Sequence, residues 1–197
     1  MDTYDLVSKH PLLAILRNVP LEKTIDYAEA AVQGGAPFFE VALNSPHALE
    51  QITMLRTHFG DRCTVGAGTA ITVERCKAAL DAGAQFLLTP GTPLDVFSYC
   101  AENDIALLPG VLTPTDVATS LQFGYKTMKL FPAGSMPRHY VKDLQGPFNV
   151  CGSHFLITIK SPVSNVGAIE SDFTTNGVYP KRFDTFWLSL VAIVVKA

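Results

Sequence analysis

Short apolar runs alternate with stretches of helical periodicity along this chain. The runs fall at 12–16, 38–43, 63–65, 86–88, 105–108, 128–131 and 155–159. Between them the apolar positions are spaced for helices. Over 21–32, Ile25, Ala28 and Val32 recur three or four residues apart. Glycines mark where such helices end: Gln33-Gly34-Gly35-Ala36, Asp81-Ala82-Gly83-Ala84 and Phe123-Gly124 each stand before a strand. Pro46, Pro93 and Pro114 fall where helices open, near the first turn.

Strand–helix units in series imply parallel strands joined by right-handed crossovers. Six units are complete by residue 146, and the remaining length holds two more. That count predicts an α/β fold of the (β/α)8 TIM-barrel type, at the short end of the barrel's range. An open dinucleotide-binding sheet is disfavoured, because Gly66-Ala67-Gly68-Thr69 lacks the third glycine of that fingerprint. Residues 1–197 are read as one domain. The rhythm fades after residue 148, and 164–184 has weak helical periodicity and poor strand signals. The last one or two units are therefore expected to be irregular or divergent. The apolar stretch 186–195 is far shorter than a membrane span and reads as a buried terminal helix or strand.

Composition narrows the function. A hydrophobic content of 48% indicates a compact globular chain. A formal charge of -3 with scattered Lys and Arg gives no electrostatic basis for binding nucleic acid. The start, Met1-Asp2-Thr3-Tyr4-Asp5, shows neither a basic region nor an apolar core of a secretory signal, so a cytoplasmic location is expected. Cys63, Cys76, Cys100 and Cys151 have no metal-type pairing and no nucleophile motif. They are read as free packing thiols of a reducing compartment. His10, His47, His58, His139 and His154 show no ligand spacing, and neither a metal nor a cofactor is expected.

One charge stands against the pattern. Lys129 lies in the middle of the apolar strand Thr127-Met128-Lys129-Leu130-Phe131-Pro132-Ala133. Desolvation disfavours an ammonium, and a neutral amine can attack a ketone to form a Schiff base. The plainer reading is a lysine that snorkels to the strand end or pairs with an acid. Arg17, Glu40, Thr69 and Thr89 also fall at or near the C-terminal ends of predicted strands. In a barrel those ends converge on one mouth, where catalytic groups are found. Glu40, flanked by Phe38-Phe39 and Val41, is expected to be desolvated and able to shuttle protons beside the lysine.

Six ordered segments then carry a resemblance. They are Leu13-Ala14-Ile15-Leu16-Arg17, Glu40-Val41-Ala42-Leu43-Asn44-Ser45-Pro46, Val65-Gly66-Ala67-Gly68-Thr69, Thr89-Pro90-Gly91, Leu108-Pro109-Gly110-Val111-Leu112-Thr113-Pro114-Thr115 and Lys129-Leu130-Phe131-Pro132-Ala133. Over about residues 10–148 the chain resembles class I 2-keto-3-deoxy-6-phosphogluconate aldolases and their 6-phosphogalactonate relatives. The resemblance implies a homotrimeric barrel that cleaves a phosphorylated 2-keto-3-deoxy sugar acid to pyruvate and glyceraldehyde 3-phosphate. It implies Lys129 as the Schiff-base lysine and Glu40 as the general acid/base. It also implies Arg17 holding the substrate, Thr69 contacting it, and Pro90 shaping the pocket wall. The chemistry agrees: a protonated imine is an electron sink that needs no metal, and a guanidinium suits a carboxylate.

Leu43-Asn44-Ser45-Pro46 looks more like the phosphogalactonate branch, because phosphogluconate enzymes often carry an arginine there. Beyond residue 148 the match to the family is poor. Glycine turns that cradle phosphate in the family are replaced by Ile157-Thr158-Ile159-Lys160-Ser161-Pro162 and Phe186-Trp187-Leu188-Ser189-Leu190. Lys160 offers a point charge in their place. Two alternatives follow from that loss: an aldolase for an unphosphorylated 2-keto acid, and a catalytically weakened barrel serving as a binding or assembly subunit. A phosphate-binding isomerase fits the fold but leaves the buried lysine unexplained.

Overall fold

In the computed structural model, which describes residues 3–9, 12–137, 139–148, 154–158 and 189–195, strand and helix alternate as the hydrophobic pattern predicts. After a short helix α1 (Thr3–Lys9), the chain forms β1 (Leu13–Leu16), α2 (Thr24–Gln33), β2 (Phe38–Ala42), α3 (Ala48–Phe59) and β3 (Thr64–Gly68). It continues through α4 (Val73–Asp81), β4 (Leu87–Leu88), α5 (Leu94–Glu102), β5 (Leu107–Leu108) and β6 (Gly110–Val111). Then come α6 (Pro114–Gln122), β7 (Thr127–Leu130), α7 (Tyr140–Phe148), β8 (His154–Thr158) and β9 (Ser189–Val195).

Local chemistry sets several of these boundaries. Gly35, Gly83 and Gly124, just past α2, α4 and α6, adopt φ of +88°, +102° and +85°, where a side chain would be strained. Thr113 and Asp116 form a reciprocal capping box at the start of α6, with Pro114 as its first residue. Pro93 caps α5. Pro46 departs from expectation: α3 begins two residues later, behind His47 in a left-handed conformation.

Hydrogen-bonded neighbours run β5-β4-β3-β2-β1-β9-β8-β7-β6. The two ends of that order belong to one segment. Leu107–Leu108 pairs with β4 and, one residue later, Gly110–Val111 pairs with β7. Pro109 divides the expected single strand because it has no N–H for the ladder, while its carbonyl accepts from the Lys129 amide at 2.8 Å. The sheet thereby returns upon itself as an α/β barrel. One departure from an eightfold βα repeat is clear: β9 runs antiparallel to both β8 and β1. Within the apolar stretch at 186–195, Ser189–Val195 is thus a strand, though it enters against the direction of the others.

Side chains alternate across these strands and sort into two layers. Outward-facing Ala14, Leu16, Phe39, Val41, Val65 and Ala67 pack with the helices in one apolar cluster. Inward-facing Leu13, Ile15, Phe38, Phe86, Leu88 and Leu108 form a second. Leu6 and Val7 of α1 join that inner cluster, so this helix closes the N-terminal end of the barrel. The sequence pattern does not anticipate α1. β3 extends beyond its predicted run through Gly66-Ala67-Gly68, because small residues there admit bulky partners to the interior.

Cys63, Cys76 and Cys100 are buried free thiols, as expected; Cys151 lies outside the described residues. The Cys100 thiol bonds to the Cys76 sulfur, which holds Cys76 down in pKa and pushes Cys100 up. No helix among the described residues is long and apolar enough to cross a membrane. The expected irregular segment 164–184, with Lys160, also lies outside the described residues.

Candidate active site

β2 and β7 stand on opposite walls of the ring. β1, β9 and β8 separate them in one direction, and β3, β4 and the β5–β6 segment in the other. Glu40 is the third residue of β2 and Lys129 the third of β7, both on the inward phase. Their side chains meet across the interior: Lys129 Nζ donates to Glu40 Oε2 at 3.1 Å and lies 3.4 Å from Oε1. The side chains are 6% and 1% exposed. The plainer expectation, a lysine paired with an acid, and the catalytic one therefore meet in a single contact. Within it a proton can pass from ammonium to carboxylate and leave an amine beside an acid.

The floor beneath the pair is apolar. Phe38 and Phe86 stack with centroids 4.7 Å apart, and Leu13, Leu88 and Leu108 surround them. Above it, the Phe131 ring lies 5.5 Å from Lys129 Nζ, at cation–π range. An apolar floor of this kind keeps water from the amine on that side.

The remaining expected residues line the mouth formed by the C-terminal strand ends. Arg17 follows β1 directly and is exposed. Pro90 follows β4 and is exposed. Thr69 follows β3 at half-burial, with φ of +62°, an outlying conformation for a β-branched residue. Strain of this kind is held only where its surroundings impose it. The Thr69 hydroxyl donates to Asn44 Oδ1 at 3.3 Å, joining the loops after β3 and β2. Ser45 Oγ accepts from the Asn18 amide at 2.9 Å, joining the loops after β2 and β1.

Thr89 differs from the expectation of a fifth mouth group. Its buried hydroxyl donates to the Gly91 carbonyl at 2.6 Å and accepts from the Gly110 amide at 3.2 Å. It fastens the Pro90 turn to β6, with its one O–H donor spent and the residue only 1% exposed. Sequence reasoning missed Asn44 and Ser45 as rim partners. A run of small polar residues directly after a strand was the available signal. It also missed Gly68, which faces Glu40.

A barrel holding a buried lysine against a carboxylate is the equipment of an enzyme. The family model described as "Aldolase: KDPG and KHG aldolase" matches residues 4–155, and the chain belongs to that family of carbon–carbon lyases. It is similar to the 2-dehydro-3-deoxy-6-phosphogalactonate aldolase of Escherichia coli (strain K12), 30% identical over 138 residues, or 70% of this chain and 67% of that one. Among solved structures, the 2-keto-3-deoxy-6-phosphogluconate aldolase of Zymomonas mobilis ATCC 29191 superposes with a TM-score of 0.76. That match has 28% identity and covers 85% of this chain and 80% of the other. The KDPG aldolase of Legionella pneumophila, solved with pyruvate captured as a covalent carbinolamine, gives 0.66 at 31% identity over 71% and 68% of the two chains.

Proposed function

We propose that the protein is a class I aldolase that cleaves a 2-keto-3-deoxy-6-phospho sugar acid, of the phosphogalactonate or phosphogluconate type, to pyruvate and glyceraldehyde 3-phosphate. The observation that carries this reading is the 3.1 Å contact between Lys129 Nζ and the Glu40 carboxylate across the barrel interior. The carbinolamine held by the Legionella relative supports the same chemistry.

Proton transfer to Glu40 frees the amine, which adds to the substrate's C2 ketone. Glu40 returns the proton to the carbinolamine oxygen, water departs, and a protonated imine forms. The carboxylate then takes the C4 hydroxyl proton. The C3–C4 bond breaks, its electron pair moves through C2 to the imine nitrogen, and the aldehyde leaves behind an enamine. Glu40 delivers its proton to C3, and water hydrolyses the resulting pyruvate imine. Arg17 takes the substrate carboxylate in a planar fork, Thr69 contacts the bound acid, and Pro90 forms the wall.

The homotrimer is assigned on the family resemblance, and a sedimentation mass of three chains tests it. A cytoplasmic location accords with the free thiols Cys63, Cys76 and Cys100. An unphosphorylated substrate is the second reading, motivated by the glycine-free sequence at 157–162. Pyruvate release from phosphorylated and unphosphorylated 2-keto-3-deoxy acids of both C4 configurations tests both readings. The phosphorylated acids should turn over faster, and Lys129→Met should release none. No pyruvate from any of the acids would leave a barrel that binds without cleaving.

A further inference from the structure

We infer that Gly68 is a positioning residue for proton transfer: the side chain it lacks is what lets the Glu40 carboxylate lie within reach of Lys129. This rests on the roles proposed above for those two residues. Gly66 and Gly68 sit two positions apart on β3 and share its inward phase. A Cβ on Gly66 would fall 2.3 Å from the Phe86 ring. A Cβ on Gly68 would fall 1.9 Å from Glu40 Oε1, 2.5 Å from its Cδ and 2.7 Å from its Cγ.

The two glycines therefore make room for different things. Gly66 opposes a ring already stacked on Phe38, so a methyl there disturbs the floor. The three atoms nearest the Gly68 position all belong to the far end of one flexible acid. A methyl at 68 meets no backbone among them, so the fold can yield where the site cannot. Glu40 is 1% exposed and its carboxylate is held between Gly68 and the lysine. Displaced, it loses the 3.1 Å contact on which proton transfer depends. A shift of about 1 Å in a reacting group costs on the order of 100-fold in rate.

The test compares Gly68→Ala, Glu40→Ala and the double variant with wild-type enzyme. Gly68→Ala should reduce kcat by about 100-fold while KM moves less than about threefold, since the mouth is untouched. Borohydride should still trap pyruvate on Lys129 at long times but more slowly than in wild type, since imine formation also uses Glu40. Exchange of the pyruvate methyl protons with solvent should slow with kcat. In thermal unfolding, Gly68→Ala should lower the midpoint of wild-type enzyme but not that of Glu40→Ala, where all three conflicting atoms are gone.

A kcat within about threefold of wild type overturns the positioning role. So does an equal loss of stability in both backgrounds, or a loss of fold that Glu40→Ala does not relieve. Wild-type enzyme that cleaves none of the acids, with the stability coupling intact, would overturn the aldolase reading and the proton-transfer role together. It would leave the packing of Gly68 on Glu40 standing.

Discussion

On the outer face of the sheet, Leu16, Phe39, Val41 and Val65 meet the helices in an apolar layer that continues around Ile52, Leu55 and Phe97. The inner face of the same strands changes character along its length, where Leu13, Ile15 and Phe38 give way to Glu40, Gly68 and Lys129. Neighbours in sequence thus serve opposite ends: Phe39 and Val41 stabilise, while Glu40 between them carries a charge. The outer layer gains from every apolar atom removed from water. The inner pair is expensive to desolvate and is held by its own contact and by the walls around it. Stability and chemistry are separated here by a single step along each strand.

Four substitutions would break or sharpen that contrast. Glu40→Gln keeps the shape of the inner face but removes its acid/base group, so kcat should fall by about 10²–10⁴. Steady-state kinetics on folded protein reads this directly. Leu55→Ala opens a hole in the outer layer and should cost about 2–5 kcal/mol in urea unfolding. The kcat of the protein that remains folded should stay at the wild-type value. An equally large drop in kcat would mean that the two faces are not independent.

Thr89→Val strands the Gly110 N–H and should cost roughly 1–3 kcal/mol by denaturant midpoint. It also frees the Pro90 turn, so KM should rise more than kcat falls. The smallest effect lies at α6. Burial pushes the Asp116 carboxyl up, but the amides of Thr113 and Leu112 and the hydroxyls of Thr113 and Thr92 outweigh it and hold it below the usual range. A carboxyl lowered by folding contributes stability above its unfolded pKa and loses it as pH falls through the folded value. The stability gap between wild type and Asp116→Asn should therefore be present at neutral pH and close in acid. Urea midpoints across that range check it.

Much of this was legible in the sequence because it depends on spacing. The apolar runs located β1, β2, β7 and β8, and the interrupting charges located Glu40 and Lys129. Spacing gives the face a residue occupies but not its partner. Thr89 accordingly read as a mouth group, although its hydroxyl is taken up by Gly91 and Gly110. Nor does hydropathy carry strand direction, so the antiparallel entry of β9 was hidden in an apolar stretch. α1, seven residues long, was too short to show a period, and its role comes only from Leu6 and Val7 reaching the interior. Gly68 was the least visible of all, since its contribution is an absent side chain.

Borohydride reduction in the presence of pyruvate, followed by peptide mass mapping, tests the central claim most directly. The account predicts a reduced pyruvyl adduct on the peptide carrying Lys129, lost in Lys129→Met. Folded wild-type protein that gives no adduct, or an adduct on a different lysine, would contradict it.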